Sequence, residues 1–256
     1  VFLNKGNFVF NHIKVFTLFK LLNLAVLLSA TSAAFAEQAV LSNATPPKRI
    51  QAVYEVTKNG QPFAKVHEQF VVTDGKYKIE SVTKGIGVYA LFGERALTSA
   101  GEVTPQGLKP ARFELHQGDN PKKALLADFD WAQQTLHMTV KGKVKEASLV
   151  AGTQDLASYA YQFMYLPAPL KNAITVSLTT GKKLNQYQYN INPEFETITG
   201  AGVKYKTLHL VPPAQDTQET KELWLAADYH YVPVRILMVD DNGQKLEQTL
   251  TELHME

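Results

Sequence analysis

The chain reads as a mainly β protein. It is expected to form a single domain on an antiparallel sheet curved into an open or half-closed β-barrel, with one short helix packed across it. A β-sandwich is the alternative arrangement of the same elements. Three observations lead there. Short strand-like runs succeed one another from Arg49 to the C-terminus, closely and evenly spaced. The breaks between them carry turn residues such as Asn59-Gly60, Asp74-Gly75 and Asn242-Gly243, which accept positive φ cheaply. One segment alone, from Asp155 to Met164, places its apolar residues at helical spacing.

Taken in order, Arg49 to Lys58, Phe63 to Thr73 and Lys76 to Lys84 form a β-meander through the first two Gly-containing turns. Strands are then expected at Arg95 to Val103, Leu108 to His116, Lys123 to Asp130, Thr135 to Val140 and Lys143 to Leu149. In the helical segment Leu156, Tyr159, Ala160 and Phe163 share a face, Asp155 can cap the first turn, and Pro167 and Pro169 end it. An amphipathic helix of this kind belongs against a sheet. Strands resume at Ile174 to Thr179, Leu184 to Ile191, Phe195 to Thr199 and Val203 to Val211. The best-specified stretch is the last, three strands between Lys221 and Leu253. A three-residue loop, Asp241 to Gly243, sets Met238 opposite Leu246 and Val234 opposite Leu250, pairing apolar side chains on one face.

The first 36 residues stand outside this pattern. Lys5, Lys14 and Lys20 precede an apolar run from Leu21 to Ala30, and Ala34-Phe35-Ala36 supplies small residues for cleavage after Ala36. A secretory signal peptide is expected there, its apolar run too short for a membrane span. The leading portion is long and begins with Val1, which an alternative start codon or an over-extended reading frame would explain. Residues 37–48 read as a flexible N-terminal tether and 49–256 as the single β-rich domain, in the periplasm. Removing the three leader lysines from 26 basic residues leaves 23 against 24 acidic ones, so nothing in the charge balance supports nucleic-acid binding. The absence of cysteine removes disulfides, a lipobox and thiolate chemistry. No cofactor is expected, and a monomer is.

Motifs for chemistry are sparse. Gly85-Ile86-Gly87-Val88-Tyr89-Ala90 imitates a dinucleotide fingerprint, but the helix and crossover that such a site needs do not follow. The same stretch, with Ile86, Val88, Tyr89, Leu91 and Phe92, is apolar enough to rim a cavity. Tyr159 and Phe163 on the helix and Trp224 on the terminal motif complete the expected ligand-binding set. The histidines left after processing lack metal-ligand spacing, and no metal site is expected. Asp128 and Asp130 read as turn-flanking residues, and Asp155 with Ser158 as helix capping rather than catalysis. Arg235, if inward-facing, needs a carboxylate, with Glu222 and Glu247 in reach.

Ser99-Ala-Gly-Glu-Val103, Gly107-Leu-Lys-Pro110, Phe129-Asp-Trp131, Asp155-Leu-Ala-Ser158 with Tyr161, and the stretch from Trp224 to Leu250 together resemble the bacterial exported family catalogued as domain of unknown function 3108. The resemblance covers nearly all of residues 49–256. It implies an exported, mostly β protein and brings no catalytic residues. In shape, the closing strands look like those of periplasmic lipoprotein carriers and a related anti-sigma-factor regulator, half-open β-barrels. The resulting expectation is a non-enzymatic binding or carrier module for a lipid-like ligand or lipidated partner. An interaction module for an envelope protein, with a filled core, and a hydrolase with a site assembled by folding are the alternatives.

Overall fold

The structure, a computed structural model, describes residues 45–256 apart from 119, 168–169, 171–172 and 214–218. The expected leader and the tether as far as residue 44 lie outside the described residues. Sixteen strands form one sheet: β1 Arg49–Lys58, β2 Gln61–Thr73, β3 Lys76–Gly85, β4 Arg95–Thr104, β5 Gly107–Gln117, β6 Leu125–Asp130, β7 Thr135–Val140, β8 Lys143–Ser148, β9 Gln154–Asp155, β10 Ile174–Thr179, β11 Leu184–Ile191, β12 Glu196–Gly200, β13 Val203–Val211, β14 Thr220–Ala226, β15 Val232–Val239 and β16 Lys245–Met255. Its order is β8-β7-β6-β5-β4-β3-β2-β1-β16-β15-β14-β13-β11-β10-β9, with β12 paired to β13. The end strands β8 and β9 do not pair with each other, so the sheet is open.

Local chemistry accounts for these elements. Asn59 and Gly60, and again Asp74 and Gly75, all adopt positive φ, the two-residue turn whose twist matches antiparallel strands. In β1 the residues Ile50, Ala52, Tyr54 and Val56 are buried in alternation, the period of a strand with one covered face. The terminal hairpin has the expected loop: the Asp240 amide donates to the Gln244 carbonyl at 3.1 Å, Gly243 has φ 75°, and Met238 faces Leu246.

The sheet bends back on itself, and β9 shows how. The Gln154 side chain donates to the Leu108 carbonyl on β5 at 2.8 Å, while Ser99 on β4 donates to Asp155 at 2.6 Å. One end of the sheet therefore meets its middle. Here the structure departs from two expectations. The sheet is not wholly antiparallel, because β9 runs parallel to β10. The helix is also shorter than residues 155–164: α1 spans Tyr159–Gln162 and passes into a 3-10 turn, Phe163–Tyr165. Both departures have one cause. Parallel neighbours need a crossover, and α1 serves as it, so Gln154 and Asp155 are drawn into the ladder. At the other end Leu166, extended before Pro167, stops the turn.

The crossover also organises the core. Tyr161 and Met164 pack into a cluster with Tyr54, Phe70 and Phe113, whereas Tyr159, Ala160 and Phe163 pack into a second with Leu178, Leu210 and Leu223. Opposite sides of one short helical segment thus fill the two halves of the folded-over sheet. Among the described residues no helix is long and apolar enough to cross a membrane.

Candidate functional site

Between the two halves the packing is incomplete. A cavity of about 550 Å³ opens there, within the size range of small-molecule sites. Its wall is largely apolar: Val56, Phe63, Val66, Leu97, Leu115 and Leu125 from one half, Pro233, Ile236, Met238 and Leu246 from the other, and Leu156, Tyr159 and Ala160 from the crossover. Many of these residues stand close to the turns at one end of the strands. That end holds the β1–β2 turn, the β3–β4 loop, the β10–β11 turn and the terminal hairpin.

Ionisable side chains interrupt this wall. Glu68 accepts from the Tyr161 hydroxyl at 2.9 Å and from Ser81 at 3.0 Å; burial pushes its pKa up, and those two hydrogen bonds partly restrain the rise. Lys221, almost wholly buried, donates to Glu219 at 2.5 Å and lies over the Tyr187 ring. Burial alone would raise Glu219, but the ammonium groups of Lys221 and Lys183 hold it below its ordinary value. Arg95 differs. Its guanidinium is pushed below its ordinary pKa by burial, and no carboxylate or hydrogen bond of the described residues answers it.

The expected ligand-binding residues fall into three groups. Gly87–Phe92 forms a 3-10 turn between β3 and β4, in which Val88, Leu91 and Phe92 are 71%, 87% and 71% exposed and Ile86 less so. Tyr89 from the same turn meets the edge of Phe63, which lines the cavity, at 4.6 Å. Tyr159 lines the cavity directly. Phe163 and Trp224 do not. Phe163 packs into the second core cluster with Tyr159 and Ala160 but is not part of the cavity wall. Trp224 occupies the outward face of β14, since strand alternation sends Leu223 and Leu225 inward.

On that outer face Trp224 belongs to a cross-strand row. His209, Trp224 and Arg235 are direct neighbours on β13, β14 and β15. The imidazole stacks on the indole at 4.0 Å and the guanidinium covers it at 4.7 Å. Carboxylates close the row. Glu196 takes the Trp224 N–H at 2.8 Å and faces His209 Nδ1 at 2.8 Å, Glu222 faces His209 Nε2 at 2.9 Å, and Glu247 pairs with Arg235. Burial raises Glu196, yet the hydrogen bonds from Trp224 and His209 bring it below its ordinary value.

Asp155 and Ser158 meet in hydrogen bonds at the start of the helical segment. Asp155 is fully buried; its Oδ1 accepts from the Ala157 and Ser158 amides, each at 2.9 Å, and its Oδ2 from Ser99. Burial raises its pKa to about 6, against the pull of those donors. Tyr161 turns instead to Glu68. Asp128 pairs with Arg112, and Asp130 caps the turn after β6. Among the described residues, no three His, Asp or Glu side chains are placed to hold a metal ion. A depression of about 740 Å³ beside β16, β1, β2, β3 and β4 has exposed His67, Glu252 and His254 around it, and Glu68 borders it as well.

Glu68, Arg95 and Lys221 were not singled out from sequence, yet a signal for them is there. Glu68 continues the inward phase of Ala64 and Val66, Arg95 that of Leu97 and Ser99, and Lys221 that of Leu223 and Leu225. A charge standing in the apolar phase of a strand marks a cavity or a buried pair.

Fold and site together define a class: an open, folded-over, mostly antiparallel sheet with a ligand-sized cavity between its halves. The chain belongs to the family described as "Protein of unknown function (DUF3108)", whose sequence model matches residues 53–251. Among solved structures it is similar to the hypothetical protein CT021 from Chlamydia trachomatis, at 8% identity and TM-score 0.34 over 84% of this chain and 90% of that one. No curated protein matches it.

Proposed function

We propose that this chain is a non-enzymatic binding or carrier protein of the periplasm that holds a hydrophobic, lipid-like ligand or the acyl chain of a lipidated partner. The observation that carries this reading is the apolar cavity of about 550 Å³ between the halves of the sheet. A core of this size normally closes to crystal-like density, and a void with apolar walls forfeits dispersion contacts that a ligand would restore. The exposed turn Gly87–Phe92 supports it as an apolar collar, tied to the cavity wall through Tyr89 and Phe63.

Native mass spectrometry of the processed chain from a periplasmic extract, followed by organic extraction, tests this. A discrete co-purifying mass is expected, and Met238→Trp, which fills the cavity from β15, should abolish it while the variant remains folded. An unloaded mass, under conditions in which a known lipid carrier keeps its cargo, would count against the reading and direct attention to a protein partner.

A further inference from the structure

We propose that the cavity binds a single-chain anionic amphiphile, its carboxylate or phosphate head held by Arg95 and its tail running inward toward Tyr159 and Ile236. The proposal rests on the binding reading above and specifies the ligand's chemistry.

Charge accounting within the cavity leads to it. Of the ionisable side chains in the wall, Glu68 is held by Tyr161 and Ser81, and Glu219 and Lys221 hold each other. Arg95 and Lys182 are left with no carboxylate partner among the described residues. Lys182 is exposed and loses little by this, but Arg95 is largely withdrawn from water. A desolvated guanidinium without an acceptor is costly, and a ligand that brings an oxyanion removes that cost. A neutral ligand would leave Arg95 unanswered, and a cationic one would add repulsion.

Position supports the same assignment. Arg95 opens β4, after the exposed apolar turn, Gly93 and Glu94, the last paired with Lys84, and it pairs across the sheet with Thr83, another wall residue. Lys182 follows Gly181 in the β10–β11 turn, where an added Cβ would lie 3.1 Å from both Leu125 and Phe113. The register then links Leu125 to Leu115, and Leu115 to Leu97, two residues along β4 from Arg95. Both unpaired cations therefore belong to the end of the cavity that carries the apolar collar. The arrangement suits an amphiphile: unpaired cations at one end and a largely apolar wall beyond them.

Isothermal titration of the processed, delipidated chain with dodecanoate, dodecyl phosphate, dodecanol and dodecyltrimethylammonium, each below its micelle-forming concentration, tests the proposal. Inorganic phosphate serves as competitor. At least one of the two anions should bind about tenfold or more tightly than the alcohol and the ammonium, the discrimination expected of a charge-assisted hydrogen bond. Comparing the two anions tells a carboxylate site from a phosphate site. Arg95→Gln should bring the anions down to the level of dodecanol while dodecanol binding persists, and Arg95→Lys should keep part of the preference. Equal binding of all four amphiphiles, an anion preference that survives Arg95→Gln, or competition by inorganic phosphate that persists in Arg95→Gln would overturn the assignment to Arg95 and leave the carrier reading intact. Failure of every amphiphile to bind would sink both. Should Arg95→Gln not fold, the charge series on the wild type and on Arg95→Lys decides.

Discussion

Arg95 and Arg235 stand on the same sheet, on opposite faces, and their surroundings differ in kind. Arg235 lies over Trp224 and pairs with Glu247, in a row where neighbouring strands supply partners register by register. Arg95 faces a largely apolar cavity, and no carboxylate of the described residues answers it. The buried carboxyl of Asp155 resembles Arg235 in this respect, since both its oxygens accept hydrogen bonds. At Asp155 and at the Arg235–Glu247 pair the fold supplies a partner for the charge, although among the described residues the buried Arg235 Nε, Tyr189 hydroxyl and Gln154 Oε1 have none. An inward charge without such a partner points to something the chain alone does not contain.

The contrast can be broken by mutation, and the largest effect belongs to the outer row. Trp224→Ala removes the surface on which His209 and Arg235 stack and leaves Glu196 without its donor, so a loss of about 3–5 kcal/mol is expected in urea denaturation. Asp155→Ala comes next, at about 1–3 kcal/mol, because two amides and the Ser99 hydroxyl lose a buried acceptor. Asp155→Asn keeps an acceptor at Oδ1 and should cost less than about 1 kcal/mol.

The same pair of variants carries a pH signature. The folded-state value of Asp155, about 6, lies above the roughly 3.9 of an unfolded chain. Folding therefore favours the protonated acid, and its contribution is full below about pH 4 and lost as pH rises through about 6. The stability of the wild type relative to Asp155→Asn should fall across that window and level off above it, as denaturation series at fixed ionic strength would show. A difference that stayed flat would mean that Asp155 titrates normally.

The two arginines give the sharpest test of the comparison. Arg235→Met should destabilise by about 1 kcal/mol, a modest figure because Arg235 and Glu247 remain 31% and 33% exposed and water screens the pair. Arg95→Met should be neutral or slightly stabilising in the ligand-free chain, since it removes a half-buried charge that has no carboxylate partner among the described residues. Equal losses at both sites, read from thermal or urea midpoints, would erase the distinction. The smallest change in stability is expected at the collar. Leu91→Glu, at a position 87% exposed, should shift stability by less than about 0.5 kcal/mol and still lower the ligand load found by native mass spectrometry.

Much of the fold was legible in the chain because strand alternation and turn residues act locally. The Asn59-Gly60 and Asp74-Gly75 turns and the Met238–Leu246 register follow from neighbours in sequence. The parallel pairing of β9 does not, because Gln154 and Asp155 are placed by Leu108 and Ser99, some fifty residues away. The candidate site was legible in part. Of the aromatic residues singled out, Tyr159 lines the cavity and Tyr89 only touches its wall through Phe63, whereas Trp224 and Phe163 carry the same chemistry and lie outside it. Aromatic character alone does not say which face of a strand or helix points to a void. The phase of Glu68, Arg95 and Lys221 against their apolar neighbours does, and it was the more informative signal.

The most direct test of the account is a crystal structure of residues 37–256 purified without delipidation. An elongated feature is expected in the cavity, its polar end within hydrogen-bond distance of the Arg95 guanidinium and its length along Leu97, Leu115 and Ile236. A cavity closed by inward movement of its own side chains, with Arg95 turned to a protein carboxylate, would contradict the account.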